Sequence, residues 1–182
     1  KVLPAVVSIR TKGFDTLEQN PLYSHPLFGR MVRDEMGGTI AGPEKRSFVS
    51  AGSGVIVDAA RGLIITNFHV IERATEIKVR LTDGREFDGK LIGKDAATDV
   101  ATVQIEATEL TSIPMGNSTK VRVGDFVVAI GNPLGLDSTA TMGMVSSLMR
   151  SNVGWREFEA YIQHDAAVNS GNSGGALVNM NG

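Results

Sequence analysis

Apolar and polar positions alternate along much of this chain in short runs, broken at brief intervals by glycine-bearing turns. Val2 to Arg10 reads as a first strand, with Pro4 near its start, where a missing N–H does little harm. Ser53–Asp58 and Leu63–Thr66, separated by Ala59-Ala60-Arg61-Gly62, predict a hairpin. Val70–Ala74 fits one helical turn. Glu76–Leu81 alternates cleanly and turns at Thr82-Asp83-Gly84-Arg85 into Phe87–Gly93. Asp99 opens a strand over Val100–Ile105. After a linker at Glu106–Thr111 the pattern resumes at Asp125–Gly131, Ser138–Met149, Tyr161–Gln163 and Gly175–Val178. Between Gly13 and Arg46 no period holds, although Phe14, Leu17, Leu22, Tyr23, Leu27, Phe28, Met31 and Met36 are apolar. That stretch predicts a long loop, either a surface insertion or one that packs near the active site or on a neighbouring subunit. Short strands, glycine-rich turns and little helix predict an all-β barrel or sandwich.

Composition narrows the function more than the fold. The chain has 182 residues, enough for a domain of ordinary size with its own core. A net charge of −2 gives no electrostatic case for nucleic acid as a partner. No apolar run approaches the roughly 20 residues that cross a bilayer as a helix, so no such membrane span is expected. Cysteine is absent, which excludes disulfides and thiolate metal sites. No basic-then-apolar leader opens the chain, so it reads as a mature form or an excised piece.

The chemistry concentrates at Gly171-Asn172-Ser173-Gly174-Gly175. One hydroxyl stands among residues small enough to let backbone pass close beneath a substrate carbonyl. A serine needs a base, and the base an orienting partner. His69, in Thr66-Asn67-Phe68-His69-Val70, is the candidate base, and Asp99, in Thr98-Asp99-Val100-Ala101, the candidate acid. Asp95 and Asp165 are rival acids; Asp99 is preferred because it opens a strand, whereas Asp95 lies in a turn. His25 and His164 read as structural or surface residues. The order His69, Asp99, Ser173 is that of chymotrypsin-type proteases, not of subtilisin or the α/β-hydrolases. Ser173 would attack the carbonyl, His69 would carry the proton, and Asp99 would hold the imidazole. The N–H groups of Gly171 and Ser173, helped by Asn172, would face the oxyanion, each preorganised donor worth about 3–4 kcal/mol of barrier. Each piece has a plainer explanation, a polar turn or a surface histidine; the combination carries the reading. A serine esterase normally shows Gly-x-Ser-x-Gly in the order Ser, Asp, His, absent here, and three scattered histidines give no His-Glu-x-x-His zinc pair. No metal or other cofactor is implied.

Four motifs in order, Thr66–Val70, Thr98–Ala101, Gly131-Asn132-Pro133-Leu134-Gly135 and Asp165–Leu177, resemble the HtrA/Deg family of serine proteases, the bacterial periplasmic type most closely, in register from about Ala51 to Asn179. The resemblance implies a chymotrypsin-like double β-barrel and ATP-independent cleavage of unfolded or damaged proteins, often with chaperone activity. It also implies a periplasmic homotrimer or higher oligomer, with PDZ domains downstream. On this reading residues 1–182 are the protease domain: 1–110 the first barrel, including the loop 13–46, and 111–182 the second. The loop maps onto a regulatory segment, and Leu136–Thr139 and Asn152–Glu159 onto loops that relay activation. Val168–Asn172 becomes the activation-sensitive turn, with Val168 at the primary specificity pocket and a preference for small or medium aliphatic side chains. Two departures stand out. The chain stops at Gly182, so the second barrel is expected to be incomplete and the isolated chain a resting form. His164 occupies a place that more often carries a small polar residue. A proteolytically silent chaperone on the same fold is the alternative function.

Overall fold

The computed structural model describes residues 2–16, 45–132, 138–150 and 160–182. Most of the 13–46 loop, the end of the Gly131–Gly135 motif, Leu136–Asp137 and the Asn152–Glu159 segment lie outside the described residues.

A 3-10 turn over Leu3–Ala5, with Pro4 inside it, precedes β1 (Val6–Thr16). Then follow β2 (Lys45–Asp58), β3 (Leu63–Asn67), the four-residue helix α1 (Phe68–Ile71), β4 (Ala74–Arg80), β5 (Glu86–Asp88), β6 (Lys90–Asp95) and β7 (Val100–Gln104). A second 3-10 turn, Ser118–Lys120, leads to β8 (Phe126–Gly131), β9 (Thr139–Arg150), β10 (Tyr161–His164) and β11 (Ala176–Asn179). The fold is all-β, as expected.

The first seven strands form one antiparallel sheet in the order β5-β4-β1-β2-β3-β7-β6. Its edge strands are consecutive in the chain, joined only by Gly89. The Gly89 N–H donates to the Ile77 carbonyl at 2.8 Å, and a Cβ at Gly89 would stand 2.8 Å from both Ile77 of β4 and Val103 of β7. The two ends of the sheet therefore meet at this glycine and the sheet closes on itself. Inside it pack Val7, Ile9, Ile56, Ile64, Val79, Val103 and Ile105, all essentially inaccessible. Phe87–Gly93, expected as one strand, is thus two. β5 pairs with β4 and β6 with β7, because the chain turns a barrel corner where a side chain has no room.

The first strand also differs from expectation. It starts four residues later than the apolar run and continues to Thr16, while β2 begins at Lys45, so pairing extends into both ends of the predicted loop. The ladder includes Gly13↔Phe48 and Phe14↔Ser47 and closes at Thr16↔Lys45. Beyond Gly13, where pairing with β4 ends, β1 and β2 continue as a two-stranded ribbon. Phe14 is exposed on it, so it gives no inward-facing apolar position to mark a period of two in the sequence.

The remaining strands form a second antiparallel sheet, β10-β9-β8-β11. The two sheets are joined by hydrogen bonds far apart in sequence, and those bonds surround Ser173.

Candidate active site

Asp99 organises the first half of the site from just ahead of β7. Its backbone lies in the left-handed region, φ 58°, which aspartate tolerates better than most non-glycine residues. Four contacts hold it there. Its carbonyl accepts from the Phe68 N–H at 3.0 Å and from the Asn67 amide at 2.9 Å, and its carboxylate Oδ1 accepts from the His69 N–H at 2.9 Å. The Phe68 and His69 N–H groups open α1 and have no partner within the helix, and the Asn67 side-chain amide lies just ahead of them. Asp99 satisfies them from across the sheet, and so fixes the helical turn that presents His69. The other carboxylate oxygen, Oδ2, lies 2.8 Å from His69 Nδ1. A carboxylate only accepts, so the imidazole proton sits on Nδ1 and the Nε2 lone pair is left for chemistry. The Asp99 side chain is 14% exposed and that of His69 43%, which puts the carboxylate beneath the ring and the ring at the surface.

The rival acids are committed elsewhere. Asp95 accepts from the Thr98 hydroxyl and then the Ala97 N–H, which in that order hold its carboxyl below the usual range while it closes a turn. Asp165 accepts from the Met144 N–H at 2.7 Å and ties the segment after β10 to β9. Of the three aspartates, Asp99 is the one bonded to the His69 ring.

Ser173 stands in the second of two linked turns. The Asn172 N–H donates to the Asn169 carbonyl at 3.1 Å across Ser170-Gly171, with Gly171 at φ 94°. The Gly175 N–H donates to the Asn172 carbonyl at 2.9 Å across Ser173-Gly174, with Gly174 at φ 81°. Each has a left-handed glycine at its third position, the requirement of a type II turn. Ser173 is the second residue of the latter, at the crest of the chain reversal.

The turn is seated on the β2–β3 hairpin. The Ser53 N–H donates to the Ser173 carbonyl at 2.8 Å. A Cβ on Gly174 would stand 2.2 Å from the Ser53 carbonyl, 2.3 Å from Thr66 Oγ1 and 3.1 Å from the Asn67 N–H nitrogen. A Cβ on Gly52 would fall between the Val70 methyls at 2.8 Å and the Ser173 carbonyl at 3.2 Å. Ser173 is thereby set beside the segment Thr66–Val70 that carries His69. Asn172, expected to help at the oxyanion, has its N–H spent inside the first turn, and its Oδ1 faces the Gly131 backbone, where a Cβ would lie 2.4 Å away. Val168 is 61% exposed, next to Ala167, whose carbonyl accepts from the Thr141 hydroxyl at 2.6 Å.

Ser53, Thr66 and Gly52 belong to this seat, and the motif reading passed over their contribution. The signal available was the run Ala51-Gly52-Ser53-Gly54, small residues in a strand, which marks a close approach of other backbone.

Comparison with known proteins gives the family. Residues 52–182 match the trypsin-like peptidase domain family. The chain is 49% identical over 184 residues to the periplasmic pH-dependent serine endoprotease DegQ of Escherichia coli K12, with all of this chain aligned to 39% of that protein. It is 45% identical over 204 residues to the periplasmic serine endoprotease DegP of the same organism, with 42% of that protein covered. The chain therefore spans about two fifths of these relatives. Among solved structures, the HtrA-type protease AlgW with tripeptide superposes with a TM-score of 0.76 at 36% identity, over 98% of this chain and 48% of that one. The resemblance to HtrA/Deg proteases thus extends over the whole chain, and so does the all-β protease fold. Residues 52–182, which carry His69, Asp99 and the glycine turn of Ser173, are what the family match covers: the chain belongs to the trypsin-like peptidase domain family.

Proposed function

We propose that this chain is the protease domain of an ATP-independent serine endopeptidase that cleaves unfolded or damaged polypeptides through an acyl-enzyme, with His69, Asp99 and Ser173 as its triad. The observation that carries the reading is the His69 Nδ1 to Asp99 Oδ2 bond of 2.8 Å, which commits the ring to the tautomer a general base needs.

In the proposed mechanism His69 Nε2 takes the Ser173 proton as Oγ adds to the scissile carbonyl. The imidazolium so formed lies against the Asp99 carboxylate, and the N–H groups of Gly171 and Ser173 receive the oxyanion. Asn172 serves by holding the turn. Collapse expels the amine, which takes the proton back from His69, and water repeats the sequence on the acyl-enzyme. The exposed Val168 borders the primary specificity pocket and favours small or medium aliphatic residues there.

The relatives named as periplasmic endoproteases support a periplasmic location, and with the HtrA/Deg resemblance they support a homotrimeric assembly with accompanying chaperone activity. The test is degradation of reduced casein by the intact protein and by its Ser173→Ala variant. Loss of cleavage in the variant alone is expected, by several orders of magnitude. Equal cleavage by both would remove the triad. A parent as inert as the variant would favour a silent chaperone.

A further inference from the structure

Ser53 is fully buried, and a buried hydroxyl costs stability unless its bonds are made. All its polar groups are engaged, and they reach three separate parts of the molecule. Its N–H donates to the Ser173 carbonyl at 2.8 Å, and its carbonyl accepts from the Thr66 hydroxyl at 2.7 Å. The hydroxyl accepts from the Asn132 N–H at 2.8 Å, just beyond β8, and donates its one proton to the Gly171 carbonyl at 2.8 Å. The last bond joins residues 118 apart in sequence and acts on a peptide central to the proposed oxyanion site.

The peptide between Gly171 and Asn172 is planar, so fixing its oxygen and its hydrogen fixes its plane. Ser53 Oγ holds the oxygen and the Asn169 carbonyl holds the Asn172 N–H. The two proposed oxyanion donors lie one peptide to each side, on Gly171 and on Ser173. Gly171 is the residue whose missing Cβ lets that plane rotate at little steric cost. With the Gly171 carbonyl turned inward onto Ser53, it is kept out of the place where an oxyanion would meet a carbonyl oxygen.

We infer that the Ser53 hydroxyl is a positioning residue for catalysis: a relay from the Asn132 N–H to the Gly171 carbonyl that sets the orientation of the oxyanion donors. This rests on the serine-protease reading. Ser53 touches no substrate; it acts through the Gly171–Asn172 peptide.

The test uses the intact protein and its Ser53→Ala variant, which removes the relay and leaves the strand. A donor set held loosely loses part of what a missing donor loses, so kcat is expected to fall about 10–100-fold with KM changed less than about twofold. Two inhibitors of one sequence separate positioning from folding: a peptide boronate, which forms a tetrahedral adduct on Ser173, and the same peptide as its unreactive amide. Affinity for the boronate should fall by the same factor as kcat/KM, and affinity for the amide should hold. Unchanged boronate affinity, or equal loss for both peptides, overturns the inference. If Ser53→Ala gives no cooperative thermal transition, Ser53→Cys, with a weaker donor in the same place, is read by the same pair of affinities and the same two outcomes. Ser173→Ala in parallel keeps the questions apart, since activity surviving there would sink the protease reading whatever Ser53 does.

Discussion

Replacing Gly174 with alanine tests whether the seat beneath Ser173 is as rigid as its contacts require. Two costs add. At φ 81° an L-residue meets the left-handed penalty, about 1–2 kcal/mol. The new Cβ also stands 2.2 Å from the Ser53 carbonyl and 2.3 Å from Thr66 Oγ1, where the closest real Cβ contacts begin near 3.0 Å. Neither neighbour can retreat freely. Ser53 is paired with Ser8 in β1 and bonded to the turn itself, and Thr66 Oγ1 donates to Ser53. Overpacking of this kind costs about 1–3 kcal/mol, so the total is about 2–5 kcal/mol. For a domain of this size that lowers the unfolding midpoint by roughly 4–20 °C. If the strain is relieved by lifting the turn instead, Ser173 leaves its place, and a displacement near 1 Å costs about 10²-fold in kcat. Calorimetry and peptide hydrolysis on one preparation read both. Gly93→Ala is the control: its position is open, with no atom within 4 Å and no positive φ, and its midpoint should move by no more than about 2 °C. A Gly174→Ala protein with unchanged midpoint and unchanged kcat would refute the rigid seat.

Further substitutions probe the other contacts. Asp99→Asn should lower kcat about 10³–10⁴-fold by spoiling the imidazole tautomer, whereas Asp95→Asn, which loosens only a surface turn, should leave kcat within about twofold. Thr66→Val keeps the shape of a 2%-exposed side chain and removes its bond to the Ser53 carbonyl, so chemical denaturation should show a loss of about 1–3 kcal/mol. Asp58 is held below its ordinary value of 3.8 chiefly by the Arg61 N–H, then by the Arg61 side chain. Its stabilising contribution is therefore present above 3.8 and lost as pH falls through the depressed value. Thermal midpoints measured from pH 6 to 2 should decline less steeply across that window in Asp58→Asn than in the parent.

How much of this could be read in advance depended on whether a residue's neighbours were near in sequence. The β2–β3 hairpin and β4 were legible, because one buried face imposes strict alternation, as in the pattern of Ile77 and Val79. The split at Gly89 was not, since alternation continues across it and the closing contacts come from Ile77 and Val103. The extension of β1 to Thr16 was hidden because Phe14 is exposed there and marks no period of two. In the site, Asp99 was separable from Asp95 by its place at the start of β7. What no local pattern could show is that Asp99 holds the opening N–H groups of the helix bearing His69, or that Asn172 Oδ1 lies against the Gly131 backbone. Both are decided by partners more than 25 residues away.

The bonds between Ser53 and the Ser173 turn also order events in time. They close loops of more than a hundred residues, the kind of contact a folding chain makes late, after its local hairpins. Until the two sheets have met, Ser173 has no seat beside the histidine segment. A chain whose first sheet has formed alone can therefore hold the His69–Asp99 bond while Ser173 stays apart from it. Docking of the two sheets is thus the step that brings the three proposed catalytic residues together.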